Sequence, residues 1–140
     1  MKDKITCFKL NWYDCGLCCV EDTVQEEIIV YRNDNLLVFR ELNGYGVICS
    51  CEIIHAKPDT IEKFFTFLEK IGDEWQTDYK VEVCDGSEWK VRMWHSSHKI
   101  KKIRGTVEYP PHGKRIEKYI RSIIEDGRSL IEPQLFGCGR

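Results

Sequence analysis

Three cysteines fall within five positions in the stretch WYDCGLCCVED, residues 12–22, and Cys15 and Cys18 have the two-residue spacing of half a zinc knuckle. Structural zinc takes four thiolate or imidazole ligands, delivered as short-spaced pairs whose backbone lets both side chains reach one ion. Gly16 gives that backbone freedom inside the first pair. A second pair of the same form is missing. The available thiols are Cys49 and Cys51, alternate residues of one strand and about 7 Å apart by strand geometry, with Cys19, Cys84 and His55 as further options. The residues allow a zinc clamp on Cys15, Cys18 and Cys19 without specifying one. A redox dithiol is the other chemistry open to them, but it needs the C-x2-C to open a helix whose terminus stabilises the thiolate, and here the motif joins two strands. The plainer reading is a cysteine-rich turn, with Cys49 and Cys51 as small apolar core residues alternating with Ser50 and Glu52.

A second candidate is HSSH at 95–98, where a two-residue turn at Ser96-Ser97 would set His95 opposite His98. Two imidazoles make a poor metal site, and the neighbouring Lys99, Lys101 and Lys102 repel a cation. Cys84 or Cys138 with His112 could form a thiol–imidazole dyad, yet nothing local supports it. No nucleophile elbow, phosphate-binding glycine loop or H-E-x-x-H helix occurs. An enzyme is therefore less expected than a binding protein, and no cofactor is required, zinc being the one the thiols allow.

The third candidate is the hairpin EWKVRMWHSSHKIKKIRG, residues 88–105, which interleaves Lys90, Arg92, Lys99, Lys101, Lys102 and Arg104 with Trp89 and Trp94. Cations for phosphates beside aromatics for bases are the composition of a single-strand nucleic-acid platform. Strand alternation points Trp89, Val91 and Met93 one way, into the core, and Lys90, Arg92 and Trp94 the other. An indole among cations on a solvent face marks a contact surface; its alternative is a helix or terminal segment laid over Trp94.

These residues are carried by a chain of 140, enough for one domain with a core of its own. The expected boundaries are a single domain over 1–128 and a C-terminal tail over 129–140. The composition is that of a soluble protein, no apolar run approaches a membrane span, and the N-terminus MKDKITCFKLNWYD alternates like a strand rather than reading as a secretory signal. The expected location is cytoplasmic, where eight cysteines are thiols, ligands or redox groups rather than disulfides. Charge is uneven: residues 1–85 hold 9 Lys/Arg against 17 Asp/Glu, and residues 86–128 hold 11 against 5. That asymmetry fits an acidic partner or nucleic acid, or else halves whose charges complement each other or simply face water. The overall excess of acid opposes strong nonspecific binding to DNA.

ITCFKLNWY, VQEEIIVYR, NLLVFREL and VICSCEIIH read as four strands separated by turn residues. KPDTIEKFFTFLEKIG then repeats Ile61, Phe64, Phe65, Leu68 and Ile71 at helical spacing, with Asp59 placed to cap, Glu62 to complete a capping box, and Gly72 to end the helix in a left-handed turn. YKVEVC and SEWKVRMWH flank Asp85-Gly86, a hairpin dipeptide, and HKIKKIRGTVEY follows. HGKRIEKYIRSIIEDG places Ile116, Tyr119, Ile120, Ile123 and Ile124 on one stripe, with Gly127 as terminator. The expected fold is α+β: an antiparallel sheet of about seven strands in the order four strands, helix, three-strand meander, helix, with both helices on one face.

DGSEWKVRMW followed by KIKKIRGTVEYPPHGKRIEKYIRSII resembles a loose group of small uncharacterised bacterial α+β proteins, in which a D-G-x-x-W strand precedes a basic strand, an aromatic-Pro step and a C-terminal amphipathic helix. The resemblance is best over residues 85–124 and implies a fold but no activity. The expected function is a small non-enzymatic binding protein of bacterial or phage setting that covers a protein or nucleoprotein partner, nucleic acid being possible. An inhibitor of a phage-defence or nucleic-acid-processing complex is one such role. A zinc-binding or thiol-active protein working through Cys15–Cys19 is the alternative. Oligomeric state is not legible.

Overall fold

A computed structural model describes residues 3–14, 23–76, 78–79, 87–106 and 110–136. Strands β1 (Ile5–Asp14), β2 (Thr23–Tyr31), β3 (Leu36–Asn43) and β4 (Ile48–His55) precede helix α1 (Pro58–Ile71) and a short 3-10 turn (Gly72–Glu74). The two-residue β5 (Asp78–Tyr79), then β6 (Ser87–His95), β7 (Ile100–Thr106) and helix α2 (Gly113–Asp126) complete the order. The strands form one sheet, β4-β3-β2-β1-β6-β7-β5. Six of them pair antiparallel, whereas β5 joins β7 in parallel through Asp78 and Tyr79. The expected three-strand meander is thus corrected to a β6–β7 hairpin with a parallel edge strand. The Asp85-Gly86 turn and residues 80–86 lie outside the described residues.

Period-two alternation decides what the sheet presents to the helices. Phe8 and Leu10 of β1, Ile28 and Val30 of β2, Leu37 and Phe39 of β3, Ile54 of β4, and Trp89, Val91 and Met93 of β6 share one cluster with the apolar stripes of both helices. Phe64 meets Phe8 edge-on, with ring centroids 5.1 Å apart. Gly105 lies opposite Trp89, and a side chain there would collide with the indole. The core therefore sits between one sheet face and the two helices.

The helix ends are held differently from the sequence expectation. Lys57, not Asp59, is the N-cap residue of α1 and offers no side-chain cap, with Pro58 opening the first turn. The Asp126 carboxylate, at the end of α2, accepts the Lys57 backbone N–H at 2.6 Å instead, and that bond holds its carboxyl below the usual range. Gly72 stays right-handed (φ −54°) and leads into the 3-10 turn. Gly127 is needed for close approach: a side chain there would strike Ile54.

Glu62 does not form a capping box; it binds Arg32, which stands just past β2. The buried guanidinium takes Glu62 through Nε at 3.1 Å and through Nη2, Glu69 through Nη1 at 2.8 Å, and the Ile5 carbonyl at 2.8 Å. Glu69 also accepts the Ile5 N–H at 2.9 Å. One side chain thereby fastens the start of β1 and the end of β2 to α1.

Residues 129–136 of the expected tail form a strap on the domain. The Ser129 hydroxyl binds Glu52 of β4, the Gln134 N–H donates to Glu26 of β2 at 2.7 Å, and Phe136 is buried edge-on against Trp89 of β6, 5.1 Å between centroids. Residues 129–136 thus cross the helix side of the sheet.

Removing the anchor should be costly. Arg32→Ala leaves the Glu69 carboxylate, 13% exposed, without its cation, and should lower unfolding free energy by about 3 kcal/mol. Glu62 is 55% exposed, so Glu62→Gln should cost under about 1 kcal/mol. The Arg32 hydrogen bond holds the Glu62 carboxyl below the usual range. Its contribution is therefore complete at neutral pH and is lost as pH falls through that lowered value. Urea unfolding of both variants at pH 7 and about pH 3 should show the Glu62→Gln difference smaller in acid.

Candidate binding surface

Among the described residues no element packs on the other face of the sheet. That face is set by register. Cys7, Lys9, Asn11 and Tyr13 of β1 stand beside Trp94, Arg92, Lys90 and Glu88 of β6. Across β7, Lys90 is opposite Arg104, Arg92 opposite Lys102 and Trp94 opposite Ile100. Arg92, Lys102 and Arg104 are exposed, and Lys90 and Trp94 are half-buried. The Lys90 ammonium lies 5.1 Å from the Tyr13 ring centroid, a cation–π distance.

Two of the expected basic residues are elsewhere. The His95 N–H bonds the Lys99 carbonyl at 2.9 Å and His98 has φ 72°, so the loop is Ser96–His98, three residues rather than two. A two-residue turn would have paired Arg92 with Lys101. The extra residue slides the register by one and sends alternate side chains to the opposite face. Lys101 accordingly turns to the helix side, where its ammonium donates to the Gly72 carbonyl, and Lys99 pairs with His95 at the hairpin end. His95 therefore faces Lys99, not His98. The loop is pinned by Asp3, whose carboxylate accepts the Ser97 N–H at 3.0 Å and both serine hydroxyls.

Toward β2 and β3 the same face changes character. Glu27 is buried between Lys9 (3.9 Å) and Arg40 (3.7 Å), closing that charge internally. Ile29, Val38 and Leu42 are buried on this face but belong to no part of the core cluster. This face thus has a buried apolar centre and an exposed cationic flank on β6–β7.

The cysteines sort by position. Cys15, Cys18, Cys19, Cys84 and Cys138 lie outside the described residues. Cys49 and Cys51 are exposed free thiols, correcting the core expectation. β4 is the sheet edge, and Cys49 is the extra residue of a bulge between the Glu41–Ser50 and Leu42–Ile48 pairs. Cys7 is half-buried between Tyr31 and Trp94, and burial pushes its thiol up to about 11. His112 meets Glu74 at 3.4 Å and the edge of Phe67. Among the described residues no three His, Cys, Asp or Glu side chains converge as a metal site, and no helix is long and apolar enough to cross a membrane.

In comparisons with family models, with curated proteins and with solved structures, nothing matches this chain.

Thiol labelling checks this arrangement. At pH 8 iodoacetamide should modify Cys49 and Cys51 of the folded protein well before Cys7, whose thiolate is scarce at that pH. Peptide mapping that finds Cys7 modified first would contradict it.

Proposed function

We propose that this protein is a non-enzymatic binding protein whose cationic sheet flank, Lys90, Arg92, Trp94, Lys102 and Arg104, docks on an acidic surface of a protein or nucleoprotein partner. The observation that carries the reading is the pair of like-charge contacts side by side, Arg92 opposite Lys102 and Lys90 opposite Arg104. Like charges directly opposite one another in a sheet destabilise it. Neither Arg92 nor Lys102 has a salt-bridge partner among the described residues, so no carboxylate among them relieves the repulsion. An acidic partner relieves it, and half-buried Trp94 adds the aromatic contact that interface centres favour. The groove between the helices, about 390 Å³, offers no such field, because Asp59 and Glu62 there face Lys63, Lys70 and Arg115.

The reading predicts that function and stability move in opposite directions. Arg92→Glu sets a carboxylate between Lys9 and Lys102. It should leave unfolding free energy unchanged or raise it by a few tenths of a kcal/mol, while lowering partner capture from native lysate at least ~10-fold. Trp94→Ala should also lose capture. Capture that survives both substitutions would overturn the assignment, and tight, salt-sensitive binding of oligo-dT by the wild type would redirect it to single-stranded nucleic acid.

A further inference from the structure

The opposite edge of the sheet carries different chemistry. Among the described residues β4 ends the sheet and pairs only with β3, and six consecutive residues, Ile48 to Ile53, are exposed. Among the described residues no backbone hydrogen bond from another segment reaches residues 48–55. Four of the six large hydrophobic side chains exposed among the described residues, Tyr45, Val47, Ile48 and Ile53, lie on this strand or in the turn before it. Natural edge strands are blunted by Lys, Pro, bulges or inward charge. β4 has no Lys or Pro; its bulge at Cys49 leaves Ser50 to His55 in regular register, and its one inward acid, Glu52, is hydrogen-bonded by the Ser129 hydroxyl. A free ladder flanked by exposed isoleucines takes another strand.

We propose that β4 pairs antiparallel with β4 of a second copy of this chain, making a two-fold dimer with one continuous sheet. The strand is complementary to itself. A two-fold axis perpendicular to the sheet keeps like faces together, so paired residues must share a face and the axis must pass through a residue position. Centred on Glu52, the register would set two carboxylates directly opposite; centred on Ile53, the ladder shortens. Centred on Cys51, it sets Ser50 against Glu52 of the partner subunit, so that no two carboxylates meet, and brings each Ile53 over the bulge at Cys49. The strand is nearly uncharged, so no repulsion opposes the approach of a second copy. The same register puts the two Cys51 side chains opposite each other, with Cβ atoms about 4.5–5.5 Å apart, near disulfide range.

Because the axis preserves faces, both cationic flanks would lie on one side of the joined sheet, with the two β6 strands about 40 Å apart at ~4.8 Å per strand. This bivalence rests on the proposed function; the dimer does not.

Sedimentation of the full chain in reductant should give twice the 16.5 kDa chain mass at ~100 µM, and Ile53→Lys should return it to monomer. Arg92→Glu should remain dimeric, which separates failure of this inference from failure of the functional reading. Brief copper–phenanthroline oxidation should yield a Cys51–Cys51 linked peptide by mass spectrometry. That crosslink should be lost in Cys51→Ser and kept in Cys49→Ser, while Cys51→Ser stays dimeric in reductant. A wild-type monomer at that concentration, a dimer that survives Ile53→Lys, or crosslinks that avoid Cys51 would each overturn the proposal.

Discussion

Coverage of one face of the sheet by both helices and the strap is the constraint from which the rest follows. Both helices and the 129–136 strap deliver their buried residues to the face bearing Phe8, Leu37 and Trp89, so every alternate residue of the strands is committed to a face that no described element covers. Arg32 makes this arrangement rigid, because its guanidinium ties two strands to α1 with both carboxylates satisfied. A charge buried with matched partners fixes the position of an element more than it adds to stability. The helix layer is therefore located as much by this polar joint as by the phenylalanines around it.

With one layer fixed, the uncovered face divides by strand order. The central strands bury Glu27 with Lys9 and Arg40 and close their charge among themselves. On β6 and β7 cations stand opposite cations, and among the described residues nothing pairs with the outer side of β4 at the far edge. The two flanks differ in chemistry, one cationic and one largely apolar.

Period and turn chemistry made much of this legible in the sequence. The four N-terminal strands and the stripes of both helices follow from spacing alone, since Ile61, Phe64, Leu68 and Ile71, or Ile116, Ile120 and Ile123, can share a buried face only as helices. Long-range pairing was not legible. The parallel union of β5 with β7 depends on contacts about 25 residues apart in sequence. The exposure of Cys49 and Cys51 follows from β4 being the edge, which in turn follows from β1 lying between β2 and β6. Alternation says which residues share a face, never what covers it. Lys101 shows how small the missing information can be: one loop residue, His98 in a left-handed conformation, moves it from the cationic flank to the end of α1. Asp126 capping a helix some 70 residues away has no sequence signal at all, because the cap is supplied by tertiary packing.

The central claim, that the uncovered cationic flank is the contact surface, is tested most directly by lysine footprinting of the protein alone and in complex with its captured partner. Acetylation of Lys90 and Lys102 should be suppressed in the complex, while Lys63 and Lys118 on the helices react as before. Protection of Lys63 and Lys118 with Lys90 and Lys102 still reactive would place the partner on the helix side and contradict the account.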